Sequence, residues 1–305
     1  MQTLHTKSPA NHLTPVGQTP LLLIRSMSSP KVRIWAKAEW MQPGGSVKAR
    51  AAHGIISNAF RLGWLDQEKT LLDASSGNTA IAYATLLKPL GHPPTICLPS
   101  NASSERKTIL KNLGANLILT SPLEGTDGAQ QVARELYEAS PQQYYYADQY
   151  SNEANWKAHY HTTAPEIWNQ TQGRITHFVA GLGTTGTFTG TAKRLKELGQ
   201  VQCIALQPDH PLHPLEGWKH LETAHVPSIF DPSYVDEYMA VESDAILDMI
   251  RFIAEHEHLQ ISPSGAGNLF GAAALARRIE QGDIVTTIAD TLDRYSEIKK
   301  QIFNL

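Results

Sequence analysis

Short apolar runs alternate with amphipathic segments along most of the chain. The runs RIWAKAEW, TLLDAS, TICLPS, NLILTS, YYYADQ and HFVAGL have the length and composition of buried strands. Between them, apolar residues recur at helical spacing, which predicts helices over residues 46–62, from 78 onward, and over 103–113, 129–139, 156–168 and 187–198. Strands that alternate with helices predict an α/β fold, with mostly parallel sheets covered by helices on both faces.

One long segment departs from this alternation. Residues 206–232 are rich in Pro and His and lack periodicity, so they predict a long loop, and loops of that length in compact domains are usually functional or mobile. Ligands of parallel sheets bind beyond the carboxyl ends of the strands. The turns from strand to helix are therefore the places to search for chemistry.

Composition and charge exclude several classes of protein. A chain of 305 residues with 41% hydrophobic residues can bury a full core. The net charge of -3 and the pI near 6.5 do not predict a nucleic-acid partner. The N-terminus lacks an apolar signal core, and no run approaches the roughly 18 apolar residues that a membrane span requires. We therefore expect no membrane partner and a cytoplasmic location.

Cysteines and histidines do not form a ligand-like spacing. Cys97 and Cys203 each lie inside an apolar run, which predicts two buried free thiols. The 13 histidines include His159 and His161, which are two residues apart and so do not share a helix face. We expect no metal site.

The first strand-to-helix turn is PGGSVKAR, residues 43–50. Ser46 is placed to cap the helix, which puts Lys48 in its first turn. A cation there opposes the helix dipole, so a stabilising role would favour an acid instead. A solvated lysine remains the alternative, and this turn alone decides nothing.

The second turn is DASSGNTAIA, residues 73–82, where hydroxyls and an amide crowd around a glycine at a helix start. Together with unpaired backbone N–H groups they predict a cradle for a carboxylate or phosphate. Helix capping alone also favours Ser and Asn, and both interpretations stay open.

The third turn is GLGTTGTFTG, residues 181–190. Glycines permit close backbone approach to an anion, and threonine hydroxyls with the helix N-terminus supply donors, which predicts phosphate binding. The string also matches G-x-G-x-x-G, but the next strand carries no acidic residue before Asp209. That favours a single phosphate over a dinucleotide.

The motifs PGGSVKAR, SSGNT and GTTGT, in this order, resemble the cysteine synthase group of the β-family, fold-type II pyridoxal-phosphate enzymes. DQYSNEAN, HYHTTAPEIW and the C-terminal DRY extend the resemblance, which is strongest to the cysteine synthase B branch. It implies two doubly wound domains with mostly parallel sheets. Residues 45–150 would form a smaller, mobile domain that holds the substrate carboxylate, and residues 1–44 plus 151–305 a larger domain that binds the cofactor phosphate.

The resemblance also assigns roles to individual residues. Lys48 would be the Schiff-base lysine and the general base, and Asn78 would contact the ring hydroxyl. Ser264 would face the pyridine nitrogen, with N-cap of a helix beginning near Ala266 as the alternative. The cofactor phosphate would bind Gly183, Thr184, Thr185, Gly186 and Thr187. The substrate carboxylate would bind Ser75, Ser76, Gly77, Thr79 and Gln149.

The implied reaction is a β-replacement on O-acetylserine or O-phosphoserine, which gives L-cysteine through an α-aminoacrylate. Such a lysine must be a free amine part of the time, so its pKa must fall below about 10.4. The resemblance also implies a homodimer. Sulfide, thiosulfate and the thiocarboxylate of a sulfur-carrier protein stay open as sulfur sources.

Departures from the family pattern bear on specificity. Ala49 replaces the usual Asp, and Gln42 replaces the common Asn. Lys219 or His220 matches a position where relatives carry arginine, and we hypothesise that Lys219 meets the phosphate of an O-phosphoserine donor, with a solvated loop lysine as the alternative. Cystathionine β-synthase, diaminopropionate-type synthase and serine or threonine dehydratase share the three turns. Two alternatives lie outside the pyridoxal-phosphate enzymes: a nicotinamide-dependent oxidoreductase and a non-catalytic binding protein.

Overall fold

The computed structural model describes residues 12–75 and 77–303. The strands of the described residues are β1 Leu21–Leu23, β2 Val32–Ala38, β3 Thr70–Ala74, β4 Thr95–Pro99, β5 Asn116–Thr120, β6 Tyr144–Tyr146, β7 His177–Gly181, β8 Gln202–Pro208, β9 Glu237–Val241 and β10 Gly282–Ile288. The α-helices are α1 Lys48–Leu62, α2 Asn78–Leu87, α3 Ser104–Asn112, α4 Gly125–Ala139, α5 Glu153–His161, α6 Thr163–Gln170, α7 Gly186–Leu198, α8 Ile246–Glu257, α9 Pro263–Ala276 and α10 Ser296–Phe303.

The strands form two sheets. The larger has the order β1-β2-β10-β7-β8-β9 and is parallel except for the antiparallel edge strand β1. The smaller has the order β5-β4-β3-β6 and is wholly parallel. Because the four strands of the smaller sheet lie together between residues 70 and 146, the chain leaves the larger sheet after β2 and returns to it at β7.

Each sheet is covered on both faces. In the larger sheet, Val179 packs with α8 and α9, and its neighbour Phe178 packs with α6 and α7 on the other side. In the smaller sheet, Leu71 packs with α1 and α2, and Leu72 packs with α4. Adjacent residues of a strand point to opposite faces, so strands that are apolar throughout require this double covering. The α/β, doubly wound fold class is confirmed, whereas the domain boundaries near residues 45 and 150 stay a prediction.

The helix expected over residues 156–168 is two helices, and that prediction was wrong. The break falls at Thr162, whose φ of -123° and ψ of -64° are not helical. Pro165 lies in the first turn of α6, where its missing N–H is tolerated, but it could not continue a helix from α5. The helix predicted at residue 129 begins four residues earlier, at Gly125. The long loop is confirmed in length, since residues 209–231, all of them described, contain no helix or strand.

Ser46 does not cap α1, which corrects another prediction. The capping residue is Val47, whose φ of -51° and ψ of -25° are already helical, and Val47 N donates to Ala289 O at 2.9 Å. The Ser46 hydroxyl is buried and has no hydrogen-bond partner among the described residues. The turn is therefore anchored by backbone contact with the end of β10, and Lys48 becomes the first residue of the helix.

A buried network of charges anchors the start of α1. The Arg50 guanidinium donates to both Glu39 oxygens at 2.7 Å and to Glu166 at 2.7 and 2.8 Å. Lys37 Nζ donates to Glu166 Oε2 at 2.6 Å. Two cations face two carboxylates, so the formal charge of the network is zero, as burial requires. The network links α1, which carries Lys48, to β2 of the larger sheet and to α6, which packs on that sheet.

None of the helices in the described ranges is both long and apolar enough to cross a bilayer. Within the same ranges, no group of three or more His, Cys, Asp and Glu side chains could hold a metal ion. Cys97 and Cys203 are free and buried, which confirms the predicted state of the two thiols.

Candidate active site

The carboxyl ends of both sheets open into one cavity of about 820 Å³. Because turns that follow strands of both sheets line this cavity, residues that are distant in sequence come together there. The predicted site residues that line the cavity are Lys48, Ser75, Gly77, Asn78, Thr79, Gln149, Gly183, Thr184, Thr185, Thr187, Lys219 and Ser264. Gly186 is the first residue of α7, directly after the lining threonines. Ser76 lies outside the described residues.

Lys48 lies at the start of α1 and is partly buried. Burial lowers the pKa of its amine below the usual value, and the negative charge of Asp290 opposes part of that shift. A lowered pKa raises the fraction of neutral amine, which is the form that can act as a nucleophile or a base. The predicted direction of this shift is present, and burial is its main cause.

Residues of the phosphate turn, 181–187, line the cavity just where α7 begins. Thr185 has a φ of 69°, in the left-handed region, and α7 begins immediately after it. The Thr185 hydroxyl is buried and has no partner among the described residues. A Cβ on Gly183 would lie 1.9 Å from Gly217 O, so this position requires glycine. The free helix N-terminus and the unpaired hydroxyl suit an anion.

Polar side chains from α5 support this turn from behind. Asn155 Nδ2 donates to Thr184 Oγ1 at 3.1 Å and to Gln149 O at 2.8 Å. His159 Nε2 lies 3.3 Å from Thr187 Oγ1. Burial, reinforced by the positive charges of Arg50 and Lys48, lowers the pKa of His159 well below its usual value. A neutral imidazole can therefore orient the threonine hydroxyl without adding charge.

The turn after β3, residues 75–79, is built around a second set of hydrogen bonds. Ser75 Oγ accepts from the N–H groups of Gly77 and Ala80, each at 3.3 Å. Thr79 Oγ1 donates to Gln149 Oε1 at 2.7 Å, which brings the end of β6 to this turn. Because these side chains line the same cavity as Lys48, an amino-acid carboxylate held here would place its Cα near the amine.

Gln149 is held in turn by a buried acid. Its Nε2 donates to Ala74 O at 3.0 Å and to Asp73 Oδ2 at 3.4 Å. Burial raises the pKa of Asp73 to about 7, against opposing hydrogen bonds from its neighbours. The amide orientation of Gln149 is therefore fixed by two groups on β3 and by Thr79 on α2.

Asn78 takes part in a network that joins the start of α2 to residues that follow β10. Its Nδ2 donates to Asp290 Oδ2 at 2.7 Å, and its Oδ1 accepts from Arg294. Tyr295 also donates to Asp290 Oδ2, at 2.8 Å. The second oxygen of Asp290 is buried without a partner in the part of the chain that is described. Asn78 is thus fixed at the cavity, and the DRY motif contributes through Arg294 and Tyr295.

Ser264 lines the cavity, but it does not cap a helix beginning near Ala266. The helix begins at Pro263, and its capping residue is Ser262, whose Oγ accepts from Gly265 N at 3.3 Å. Ser262 Oγ lies 3.1 Å from Ser264 Oγ. Proline favours the first helical position, and this sets the cap one residue before it. Ser264 is therefore left to face the cavity, where its neutral hydroxyl can meet a ring nitrogen.

The long segment, residues 209–231, covers the phosphate turn. Gly217 O and the Trp218 ring fill the space that side chains on Gly183 and Gly181 would need. Lys219 N donates to Leu182 O at 2.7 Å, which ties the segment to the turn. The Lys219 side chain extends to α4, where its Nζ lies 3.7 Å from Asp127 Oδ1.

Several residues of the site were missed by sequence reasoning. Asn268 is one of them: it accepts from Gly181 N at 2.8 Å and donates to Thr287 O at 2.8 Å, so it holds the phosphate strand. An asparagine inside the otherwise apolar helix GAGNLFGAA was a usable signal. Arg106 and Asp290 had none, because a charged residue at a helix or loop position predicts solvent exposure unless its distant partners are known.

These residues fit a cofactor that carries one phosphate and one aldehyde. The phosphate turn has an unpaired buried hydroxyl and a helix N-terminus, and the amine of Lys48 faces the same cavity. Asn78 and Ser264 line the same cavity and would contact the ring of such a cofactor. The combination defines an enzyme dependent on pyridoxal phosphate.

Comparison with known proteins agrees with this class. The chain belongs to the family described as "Pyridoxal-phosphate dependent enzyme", whose profile matches residues 13–290. It is 45% identical over 289 residues to a cysteine synthase of Aquifex aeolicus, which covers 92% of this chain and 88% of that protein. It is 36% identical over 282 residues to cysteine synthase B of Escherichia coli, with 92% of each chain covered. The predicted membership of the cysteine synthase family is confirmed.

Solved structures show the same fold. Cysteine synthase from Entamoeba histolytica superposes with a TM-score of 0.87 at 27% identity, covering 95% of this chain and 94% of that one. An O-acetylserine dependent cystathionine beta-synthase from Helicobacter pylori gives a TM-score of 0.86 at 30% identity, covering 97% and 98%. Membership of this family argues against the hypothesis that the G-x-G-x-x-G match is the dinucleotide site of an oxidoreductase.

Proposed function

We propose that this protein makes L-cysteine from O-acetyl-L-serine by replacing the acetate with a sulfur nucleophile. The observation that carries the proposal is the amine of Lys48, with its lowered pKa, in the cavity that the phosphate turn and the turn after β3 both line. The names of the relatives, cysteine synthase and an O-acetylserine dependent enzyme, support the donor and the product.

The residues divide the reaction between them. Pyridoxal phosphate, when bound, supplies a ring that withdraws electrons from the substrate Cα. Lys48 Nζ removes the Cα proton, the Cβ–O bond breaks and acetate leaves with the bonding electrons. The sulfur nucleophile then forms the Cβ–S bond, and Lys48 Nζ returns the proton to Cα.

The remaining site residues position the reactants. Ser75, Ser76, Gly77, Thr79 and Gln149 hold the substrate carboxylate, which fixes Cα next to the amine. Asn78 and Ser264 contact the ring of the cofactor. Because the Ser264 hydroxyl is neutral, it does not keep a ring nitrogen protonated, and this favours elimination over transamination. The residues that hold the phosphate are Gly183, Thr184, Thr185, Gly186 and Thr187.

The central experiment uses the purified protein supplied with pyridoxal phosphate. The parent should show a visible absorbance band and form cysteine from O-acetylserine and sulfide. Lys48→Ala and Lys48→Arg should each lose the absorbance band. Their kcat should fall at least about 1,000-fold, which is within the combined contribution of general acid-base and nucleophilic catalysis. Lys69→Ala, at the end of the loop before β3, is the control and should match the parent. Cysteine formation by Lys48→Arg at the parental rate would refute the proposal.

A second acceptor is favoured by the comparisons. A relative in Bacillus subtilis, 34% identical, and the Helicobacter pylori structure are both described as O-acetylserine dependent cystathionine beta-synthases. The same site would then accept a larger thiol. Competing sulfide, thiosulfate and homocysteine against one another, with O-acetylserine as donor, ranks these acceptors by kcat/KM.

We also propose that Lys219 selects an anionic leaving group. Its Nζ lies 5.1 Å from the centre of the Tyr150 ring, at the cavity wall. If it meets a phosphate, Lys219→Ala should lower kcat/KM for O-phosphoserine about 10-fold more than for O-acetylserine. An equal decrease in kcat/KM for both donors, or no decrease for either, would refute this role of Lys219.

The assembly and surroundings of the enzyme are proposals as well. We infer a homodimer in the cytoplasm, with a smaller mobile domain at residues 45–150 and a larger domain formed by the rest. Light scattering with and without cofactor measures the mass, and limited proteolysis with and without O-acetylserine reports on the mobility of the smaller domain. Cysteine formation with a thiocarboxylated carrier protein, compared with free sulfide, tests the carrier as sulfur source.

A further inference from the structure

Arg106 is a buried cation at the cavity to which the reaction outlined above gives no role. It lies on α3, is 7% exposed and lines the cavity together with Lys48. Its guanidinium stacks on Tyr295, with 5.3 Å from Cζ to the ring centre. Its Nε is buried without a hydrogen-bond partner in the described ranges. A guanidinium held this rigidly, with spare donors, is suited to bind an anion.

The guanidinium stands beside the turn assigned to the substrate carboxylate. Arg106 Nη1 lies 3.7 Å, and Cζ 3.9 Å, from the position that a Cβ on Gly77 would occupy. The neighbouring groups at this turn are neutral hydroxyls, backbone N–H groups and the Gln149 amide. Arg106 would therefore place a positive charge directly beside this turn, in addition to Lys48 and Arg294, which line the same cavity.

A carboxylate of the protein itself already pairs with this arginine. Arg106 Nη2 donates to Glu216 Oε2, across 110 residues of sequence. Glu216 comes from the long segment, and half of its side chain is exposed, compared with 8% for Arg106. The pair thus joins a rigid, buried cation to an exposed carboxylate on a loop, which a competing carboxylate can replace at little structural cost.

We propose that Arg106 binds the α-carboxylate of the amino-acid donor, and that the Glu216 carboxylate pairs with Arg106 when no donor is bound. This inference rests on the proposed function. Glu216 then lowers the apparent affinity for the donor, because part of the binding free energy displaces it. It also couples donor binding to release of the segment that carries Trp218 and Lys219.

The decisive test compares the two partners of the ion pair. Arg106→Gln should raise KM for O-acetylserine about 10- to 100-fold, the range expected for losing a hydrogen bond to a charged group. Glu216→Gln should lower it about 3- to 10-fold, since the competitor is removed. A purely structural bridge would give the two variants the same effect, so changes in the same direction overturn the proposal. Glu222→Gln, the same charge change in the same segment, is the control and should leave KM unchanged.

A second measurement identifies the group that is bound. L-alanine and L-alaninamide differ only in the carboxylate, and their binding to the cofactor-loaded protein is read from its absorbance without turnover. Arg106→Gln should weaken the binding of L-alanine at least 10-fold and leave the binding of L-alaninamide unchanged. The affinity of Arg106→Lys for L-alanine should lie between those of the parent and Arg106→Gln. Equal weakening of both ligands, or a rise in KM confined to O-phosphoserine, overturns the assignment. Because this binding requires no sulfur donor, it tests Arg106 even if cysteine synthesis fails.

Discussion

Replacing Glu166 by glutamine tests whether the buried charge network holds the start of α1. Burial alone would raise the pKa of the Glu166 carboxyl, but hydrogen bonds and charge from Arg50 and Lys37 lower it from 4.5 to about 2. At about 1.4 kcal/mol per pKa unit, the ionised carboxylate contributes about 3 kcal/mol to stability at neutral pH. Glu166→Gln should therefore lower the free energy of unfolding at pH 7 by about 3 kcal/mol, close to the usual cost of breaking a buried ion pair.

The pH dependence gives this prediction its sign. Because the folded-state pKa is depressed, the contribution is complete above pH 4.5 and disappears as the pH falls toward 2. Urea unfolding, at constant protein and cofactor concentration, should show the parent and Glu166→Gln converging over that interval. Glu153→Gln is the control, since Glu153 is 67% exposed in its pair with Lys157 and should cost less than about 0.5 kcal/mol. Parallel curves for the parent and Glu166→Gln from pH 5 to 2 would refute the reasoning.

Three further outcomes follow from the site. Gly186→Ala would place a Cβ 2.0 Å from Asn155 Oδ1, so cofactor affinity should fall at least about 10-fold in an absorbance titration; parental affinity would contradict this. Asn268→Ala removes the hydrogen bonds to Gly181 and Thr287 and should lower the free energy of unfolding by about 1–3 kcal/mol, measured by urea unfolding. An unchanged free energy of unfolding would show that these bonds are not needed to hold β7. Cys97 and Cys203 are buried, and burial raises the pKa of both thiols to about 12, so a thiol reagent should modify them only after unfolding; rapid labelling of the native protein would contradict the structure.

Features that depend on neighbouring residues could be predicted from the sequence. The strands could be read from runs such as TICLPS because a strand buried on both faces is apolar at every position. The three turns could be located because glycines and hydroxyls cluster where strands end. The break at Thr162 could not be predicted, since Pro165 sits among helix-forming residues and its effect depends on which residue starts the helix. Choosing Ser262 over Ser264 as a cap required the same knowledge for Pro263.

Features that depend on distant residues could not be predicted. Asp290 contacts Asn78 across 212 residues, and Arg106 contacts Glu216 across 110. Such pairs form because two sheets place their carboxyl ends at one cavity, and nothing local to either residue encodes that meeting. The resemblance to a family identified the residues that touch the cofactor. It did not identify Arg106, Glu216 or Asp290.

The contact between the long segment and the phosphate turn has a consequence for how such enzymes diversify. Gly217 and Trp218 occupy the volume next to Gly181 and Gly183. A bulkier residue in the turn therefore demands a compensating change in the segment, and a new segment must preserve that complementary surface. Grafting the segment from a relative should therefore succeed only when the graft brings a glycine and an aromatic ring of matching shape at these two positions.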